Sequence, residues 1–168
     1  MMCFILRSMT ENTLTARELA EHLAVGRSAA DRAFAMRRVQ YWTAEELIDP
    51  VHIRYTGRGT VRRYPRWCLL EAAILWELSE RNIGIEQMRY IWAALRFDHN
   101  DREQHPFRAA LKGRRRVLLL IDLAQTKPPK TIEIARGRPF ALEAWPVGLW
   151  LDLTAIFQRL RVHFAEHA

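Results

Sequence analysis

Two helix-start signals thirteen residues apart constrain the N-terminal half of this 168-residue chain more than any other feature. In Thr15-Ala16-Arg17-Glu18 the Thr side chain can accept from the backbone N–H of Glu18, and Glu18 can reach back to the N-cap N–H, the pattern of a capping box. Ser28 repeats it, with Asp31 in the third helical position. Leu19, Ala20 and Leu23 follow the first box at helical spacing, so a helix is expected over Ala16–Leu23, with its turn at Val25-Gly26. A second helix is expected from Ala29 to about Trp42, with Ala33, Phe34, Met36 and Val39 on an apolar side and Arg32, Arg37 and Arg38 projecting along it. A short helix joined by a glycine turn to a basic helix is the outline of a helix-turn-helix.

The next stretch changes period. Pro50 disfavours helix at Asp49. Val51–Tyr55 and Thr60–Tyr64 then alternate like two short strands around Thr56-Gly57-Arg58-Gly59, whose glycines suit the positive φ of a tight hairpin. Arg54, Arg58, Arg62 and Arg63 line this hairpin without one acidic residue, which reads as a basic wing. Pro65 suits the first turn of a third helix, on which Trp67, Leu70, Ile74 and Leu78 form a stripe. Asn82-Ile83-Gly84 ends it, and Ile85, Met88, Ile91, Trp92 and Leu95 mark a fourth.

Residues 98–116 read as a basic linker, polar and charged, with Gly113-Arg114-Arg115-Arg116 its densest run. Beyond it the pattern becomes strand-like. Strands are expected at Val117–Leu123, Thr131–Ala135 and Phe140–Trp145, with turns at Lys127-Pro128-Pro129-Lys130 and Gly137-Arg138-Pro139. Leu153, Ile156, Phe157, Leu160 and Phe164 give a closing helix its apolar side. The expected class is therefore α+β: an N-terminal winged helix-turn-helix of four helices and a hairpin over residues 13–97, then a small β-meander with one helix over 117–168.

Charge narrows the function classes. The chain carries 26 Lys+Arg against 19 Asp+Glu, a net +7, and its pI is near 10.1, which points to an anionic partner, nucleic acid first. All but three of the basic residues are Arg, which suits phosphate forks and guanine edges better than Lys does. Residues 27–66 alone sum to +5, and residues 99–168 sum to another +5 with no motif attached. An apolar fraction of 49% argues against wholesale disorder, and the length is too small for a full barrel enzyme. Cys3 and Cys68 make neither a disulfide framework nor a four-thiolate zinc site, so a reduced, cytoplasmic setting is expected. No apolar run approaches the roughly 20 residues of a membrane helix. The apolar start, MMCFILRSM, lacks the basic onset and small-residue cleavage site of a signal peptide, and Met9 is an alternative start.

The order of motifs resembles a known family. Val39-Gln40-Tyr41-Trp42-Thr43-Ala44-Glu45-Glu46-Leu47-Ile48-Asp49-Pro50 resembles the "L-R-Y-Y/W-E-x-x-G-L-I-x-P" signature of MerR-type winged helix-turn-helix regulators. Val61-Arg62-Arg63-Tyr64 resembles the "Y-R-x-Y" that closes their wing. Leu69–Leu78 followed by Ile83–Ile91 resembles their third and fourth helices, "L-x-x-I-x-x-L-R-x-x-G-F-S-L-E-E-I". The likeness covers roughly Thr13–Leu95. Gln40 replaces the signature Arg, Glu46 replaces the signature Gly, the second helix is longer than usual, and the family's long dimerisation helix has no counterpart after Leu95.

The resemblance implies a transcriptional regulator that binds double-stranded DNA. Its second helix would enter the major groove, with Arg37 and Arg38 at bases or phosphates and the Tyr41 hydroxyl on a phosphate; Arg62 would be a wing contact to phosphate. Arg27, Arg32, Arg54, Arg58 and Arg63 complete the expected DNA-binding set. A homodimer is expected because an operator reader needs two half-sites. Trp150, Ile156, Phe157 and Leu160 are the expected dimer contact, and the tail would dimerise or receive an effector.

Rival readings are a protein-interaction module, such as an antitoxin-like partner with a DNA-binding domain, and a small nuclease using Asp122 and Asp152. The second is disfavoured because Asp152 reads better as a helix N-cap. His99 and His105 stand beside Asp98 and Asp101, but six residues is not a helical ligand spacing, and a solvated loop is expected rather than a metal site. Trp42, Trp67, Trp76 and Trp92 are expected in the helical core, and Cys68 as a small buried hydrophobe. No cofactor, metal or catalytic function is expected.

Overall fold

The structure is a computed structural model and describes residues 13–25, 28–51, 61–97, 116–124, 129–134 and 148–165. They form a mixed helix and strand fold with five helices and two small antiparallel sheets, the α+β class expected. Two compact units divide between Trp76 and Glu77, inside a helix.

The first unit starts with β1 (Thr13–Thr15), α1 (Ala16–Leu23) and α2 (Ala29–Ala44). Both capping boxes form. Thr15 N–H donates to Glu18 Oε2 at 2.7 Å while Glu18 N–H donates to Thr15 Oγ1 at 3.2 Å. Ser28 N–H donates to Asp31 Oδ2 at 3.0 Å while Asp31 N–H donates to Ser28 Oγ at 3.2 Å. α1 and α2 pack on each other. β1 pairs antiparallel with β2 (Arg63–Pro65), with Thr13 opposite Pro65 and Thr15 opposite Arg63. Three residues are too few to show a strand period, so β1 left no pattern in the sequence. Pro65, expected to open a helix, instead ends an edge strand, where its missing N–H costs no ladder bond.

The core of this unit takes Leu19, Ala35, Val39, Trp42, Leu47, Ile48, Tyr64 and the first turns of α3 (Cys68–Glu80). Two expectations change here. The buried side of α2 is Ala35, Val39 and Trp42; Ala33 is exposed and Phe34 half-exposed. Trp67 lies just outside α3 and is 46% exposed, while Trp42 and Trp76 are buried as expected.

The second unit contains the end of α3, α4 (Ile85–Phe97), β3 (Arg116–Asp122), β4 (Lys130–Ile134), β5 (Gly148–Asp152) and α5 (Leu153–Ala165). Met88, Ile91, Trp92 and Leu95 of α4 are buried. The sheet order is β4-β3-β5, with both neighbours antiparallel to β3. The expected meander is therefore corrected, because the first strand is the central one. The reason is in β3 itself: Val117–Asp122 are all buried, so both faces are covered, and a strand apolar on both faces belongs in the middle. The third strand is Gly148–Asp152; Phe140–Trp145, where it was expected, lies outside the described residues.

α5 packs on β3. Its Thr154 Oγ1 accepts from Val117 N–H at 2.9 Å, and Asp152 Oδ1 accepts from Ala155 N–H at 3.0 Å, so Asp152 caps the helix as its position suggests. Ile156, Phe157 and Leu160 are buried within the single chain. Of the residues expected at a dimer contact, these three lie in the unit's own core, and Trp150 is 42% exposed. Among the described residues no helix is long and apolar enough to cross a membrane.

Candidate nucleic-acid interface

α2 carries the first half of the candidate surface. With Ala35, Val39 and Trp42 turned inward, the helical period leaves Ala30, Phe34, Arg37 and Tyr41 in a line on the outer side. All four are exposed, Tyr41 by 48%. Arg32 is also exposed, but the helical period puts it on the opposite side of the helix from that line.

Arg37 and Arg38, paired in the sequence, have different surroundings. The Arg38 Cζ lies 4.4 Å from the centroid of the Phe34 ring and 5.3 Å from that of Trp76, and the side chain is part-buried. Phe34 meets Trp76 edge to face, with centroids 6.0 Å apart and planes at 79°. This is a cation–π stack between helices α2 and α3, with the guanidinium held against the electron-rich faces of the rings. Arg37 sits farther out, its Cζ 6.0 Å from the Phe34 centroid.

The strand segment supplies the second half. Tyr64 is fully buried, and its hydroxyl lies 2.9 Å from Thr43 Oγ1 near the end of α2. Thr43 already gives its one hydroxyl hydrogen to Val39 C=O at 2.8 Å, so the Tyr64 O–H is the donor. Val51 N–H donates to Arg63 C=O at 2.7 Å, which returns the chain alongside β2. These bonds fix the backbone of β2 to α2. Arg62 and Arg63 beside Tyr64 are exposed. Arg63 also helps keep Glu18 below the ordinary carboxylate range, after the larger contributions of the Thr15 backbone and side-chain hydrogen bonds.

Arg32, Arg37, Arg38, Tyr41, Arg62 and Arg63 are thus all carried by the first unit; Arg27, Arg54 and Arg58 lie outside the described residues. Two exposed aromatic residues were missed by periodicity. Phe34 was assigned to the apolar side of its helix, and Trp67 to a stripe that begins one turn later. The one available signal was Arg37 and Arg38 spaced three and four residues from Phe34, within stacking reach on a helix.

Other candidates resolve into packing. Cys68 is fully buried, and its thiol lies 3.5 Å from the Asp49 carbonyl; burial, with the nearby Glu71, pushes its pKa far up. Asp122 and Asp152 sit on neighbouring strands, but Asp152 is opposite Leu118 and Asp122 opposite Gly148. Four residues of strand separate them, about 13 Å. Asp122 is buried and accepts from Ala124 N–H at 2.9 Å; Asp152 pairs with Arg116 Nε at 2.6 Å. His99 and His105 lie outside the described residues, among which no group of three or more His, Cys, Asp or Glu is placed to hold a metal. Compared with known proteins, the chain matches no family model and no curated sequence.

Proposed function

We propose that this protein is a sequence-specific DNA-binding transcriptional regulator of the MerR-like winged helix-turn-helix type, with α2 in the major groove and the Arg62–Arg63 segment on phosphates. The observation that carries this reading is the exposed line Ala30–Phe34–Arg37–Tyr41 on a doubly capped, buried-backed helix, with a basic strand fastened to it through Tyr64 and Thr43. A helix with small residues at its start can approach base edges closely, and the exposed Arg37 farther along it has the donors for guanine.

Backbone geometry supports the resemblance independently of side-chain identity. Glu46 stands where the family signature has glycine, and its φ is +58°. Counted from Leu78, Asn82 falls on the glycine of the third-and-fourth-helix motif, and its φ is +57°. These are the positive-φ non-glycine residues of the described chain, so the left-handed turns that glycine serves in the motif are kept without it.

Selection from random duplex DNA with the purified chain tests the proposal. A pseudo-palindromic motif is expected, as two copies reading two half-sites would produce. Arg62→Ala should weaken all sequences alike and reduce the salt slope by about one unit. Arg37→Ala should remove base preference, whereas Arg38→Ala should act first on stability, because that guanidinium is stacked. Enrichment of no motif, together with recovery of one stoichiometric protein partner, would instead favour an interaction module.

A further inference from the structure

We infer that Phe34 and Arg37 together read a thymine next to a guanine in each half-site, with Phe34 on the thymine methyl and Arg37 on the guanine edge. The inference rests on the DNA-binding reading above and goes on to name the bases. Phe34 is an aromatic residue kept 37% exposed on the outward line of α2, one turn before Arg37. Its ring is held from behind by the edge contact with Trp76 and by Arg38 at 4.4 Å, so its position is fixed rather than free to turn inward. Arg37 stands beside the same ring at 6.0 Å.

In the major groove an apolar side chain distinguishes thymine by its C5-methyl group, and Arg distinguishes guanine by a fork to O6 and N7. Three residues of helix advance about 4.5 Å, while adjacent base pairs are about 3.4 Å apart, so the two side chains address neighbouring steps. In the order 5′-thymine–guanine-3′ the step is pyrimidine–purine and easily deformed, which lowers the cost of fitting the groove to a long helix.

The test uses the full chain and the duplex it enriches from a random library. Each half-site is expected to contain thymine beside guanine. Replacing that thymine by deoxyuridine, which removes the methyl group alone, should weaken wild-type binding about fourfold, the value of one buried methyl at ~0.8 kcal/mol. Phe34→Leu should retain part of this sensitivity and Phe34→Ala none, while Arg37→Ala should lose guanine preference by about fivefold or more. The wild-type comparison needs no altered protein, so a folding defect in a variant cannot mask the result. Wild-type binding indifferent to deoxyuridine, or an enriched site without the step, overturns the inference while leaving DNA binding intact. No enriched site at all overturns the DNA-binding reading itself, and this inference with it.

Discussion

Glu46 is the residue with the clearest cost. A side chain with a Cβ is strained at positive φ, whereas glycine is not. Glu46 is exposed and its φ of +58° closes the turn after α2, between Glu45 and the buried pair Leu47 and Ile48. Glu46→Gly should therefore stabilise the protein by about 0.5–1 kcal/mol, visible as a rise of about 1–4 °C in thermal midpoint. Asn82→Gly should gain less, because Asn tolerates the left-handed region better than Glu does. If Glu46→Gly lowered the midpoint, the turn geometry assigned to this position would be wrong. Arg38 carries a related lesson. It is expected beside Arg37 as a DNA contact, and an aromatic residue four positions back and another from α3 hold its guanidinium in a stack.

At the scale of elements, the junction between β3 and α5 is the most tightly specified. Val117 N–H, buried at the start of the central strand, has its acceptor in Thr154 Oγ1, and Asp152 both caps α5 and binds Arg116. Thr154→Val keeps the side-chain volume but leaves the Val117 donor unsatisfied in the interior. It should cost about 1–3 kcal/mol. Hydrogen exchange at the β3 amides measures this directly: protection should fall in β3 and α5 and persist in α1 and α2. Unchanged protection in β3 would show that the bond contributes nothing to the sheet. The Trp150 side chain lies under the Arg116 guanidinium at 5.8 Å, on the exposed side of the same junction.

For the molecule as a whole, the net charge of +7 divides between two units with different uses. In the first, exposed Arg37, Arg62 and Arg63 flank a buried core and are available to phosphate or base. In the second, Arg81 and Arg159 converge on Glu77, with Nη1 at 2.8 Å and Nη2 at 2.5 Å from its carboxylate oxygens. Burial pushes the Glu77 carboxyl up, but the two guanidinium hydrogen bonds outweigh it and hold its pKa below the ordinary value. A carboxyl with a lowered folded pKa stabilises the folded state fully above its unfolded value, 4.5, and loses that contribution as the pH falls through the folded pKa. The second unit should accordingly lose stability as pH drops below 4.5, and Glu77→Gln should flatten that dependence while lowering stability at neutral pH. Thermal midpoints of both proteins across this range measure it; identical pH profiles would mean that the ion-pair group is not coupled to folding.

The sequence by itself determined the starts of α1 and α2, the C-terminal end of α3, the apolar side of α5 and the capping role of Asp152. Each of these depends on residues within one or two turns: a cap and its partner three residues on, or a stripe repeating along one helix. Tertiary structure alone decided the rest. Periodicity could not choose the buried side of α2, because its apolar residues are spread around the helix, and only packing against α1 and β2 selects Ala35, Val39 and Trp42. Strand order was also invisible, since pairing partners are set by which strand is covered on both faces and not by which follows which. The candidate site divides the same way. The basic helix and strand were legible from composition and spacing, but which Arg faces outward and which is stacked depends on Trp76, nearly forty residues further along the chain. That choice is a long-range contact, and a local pattern carries no information about it.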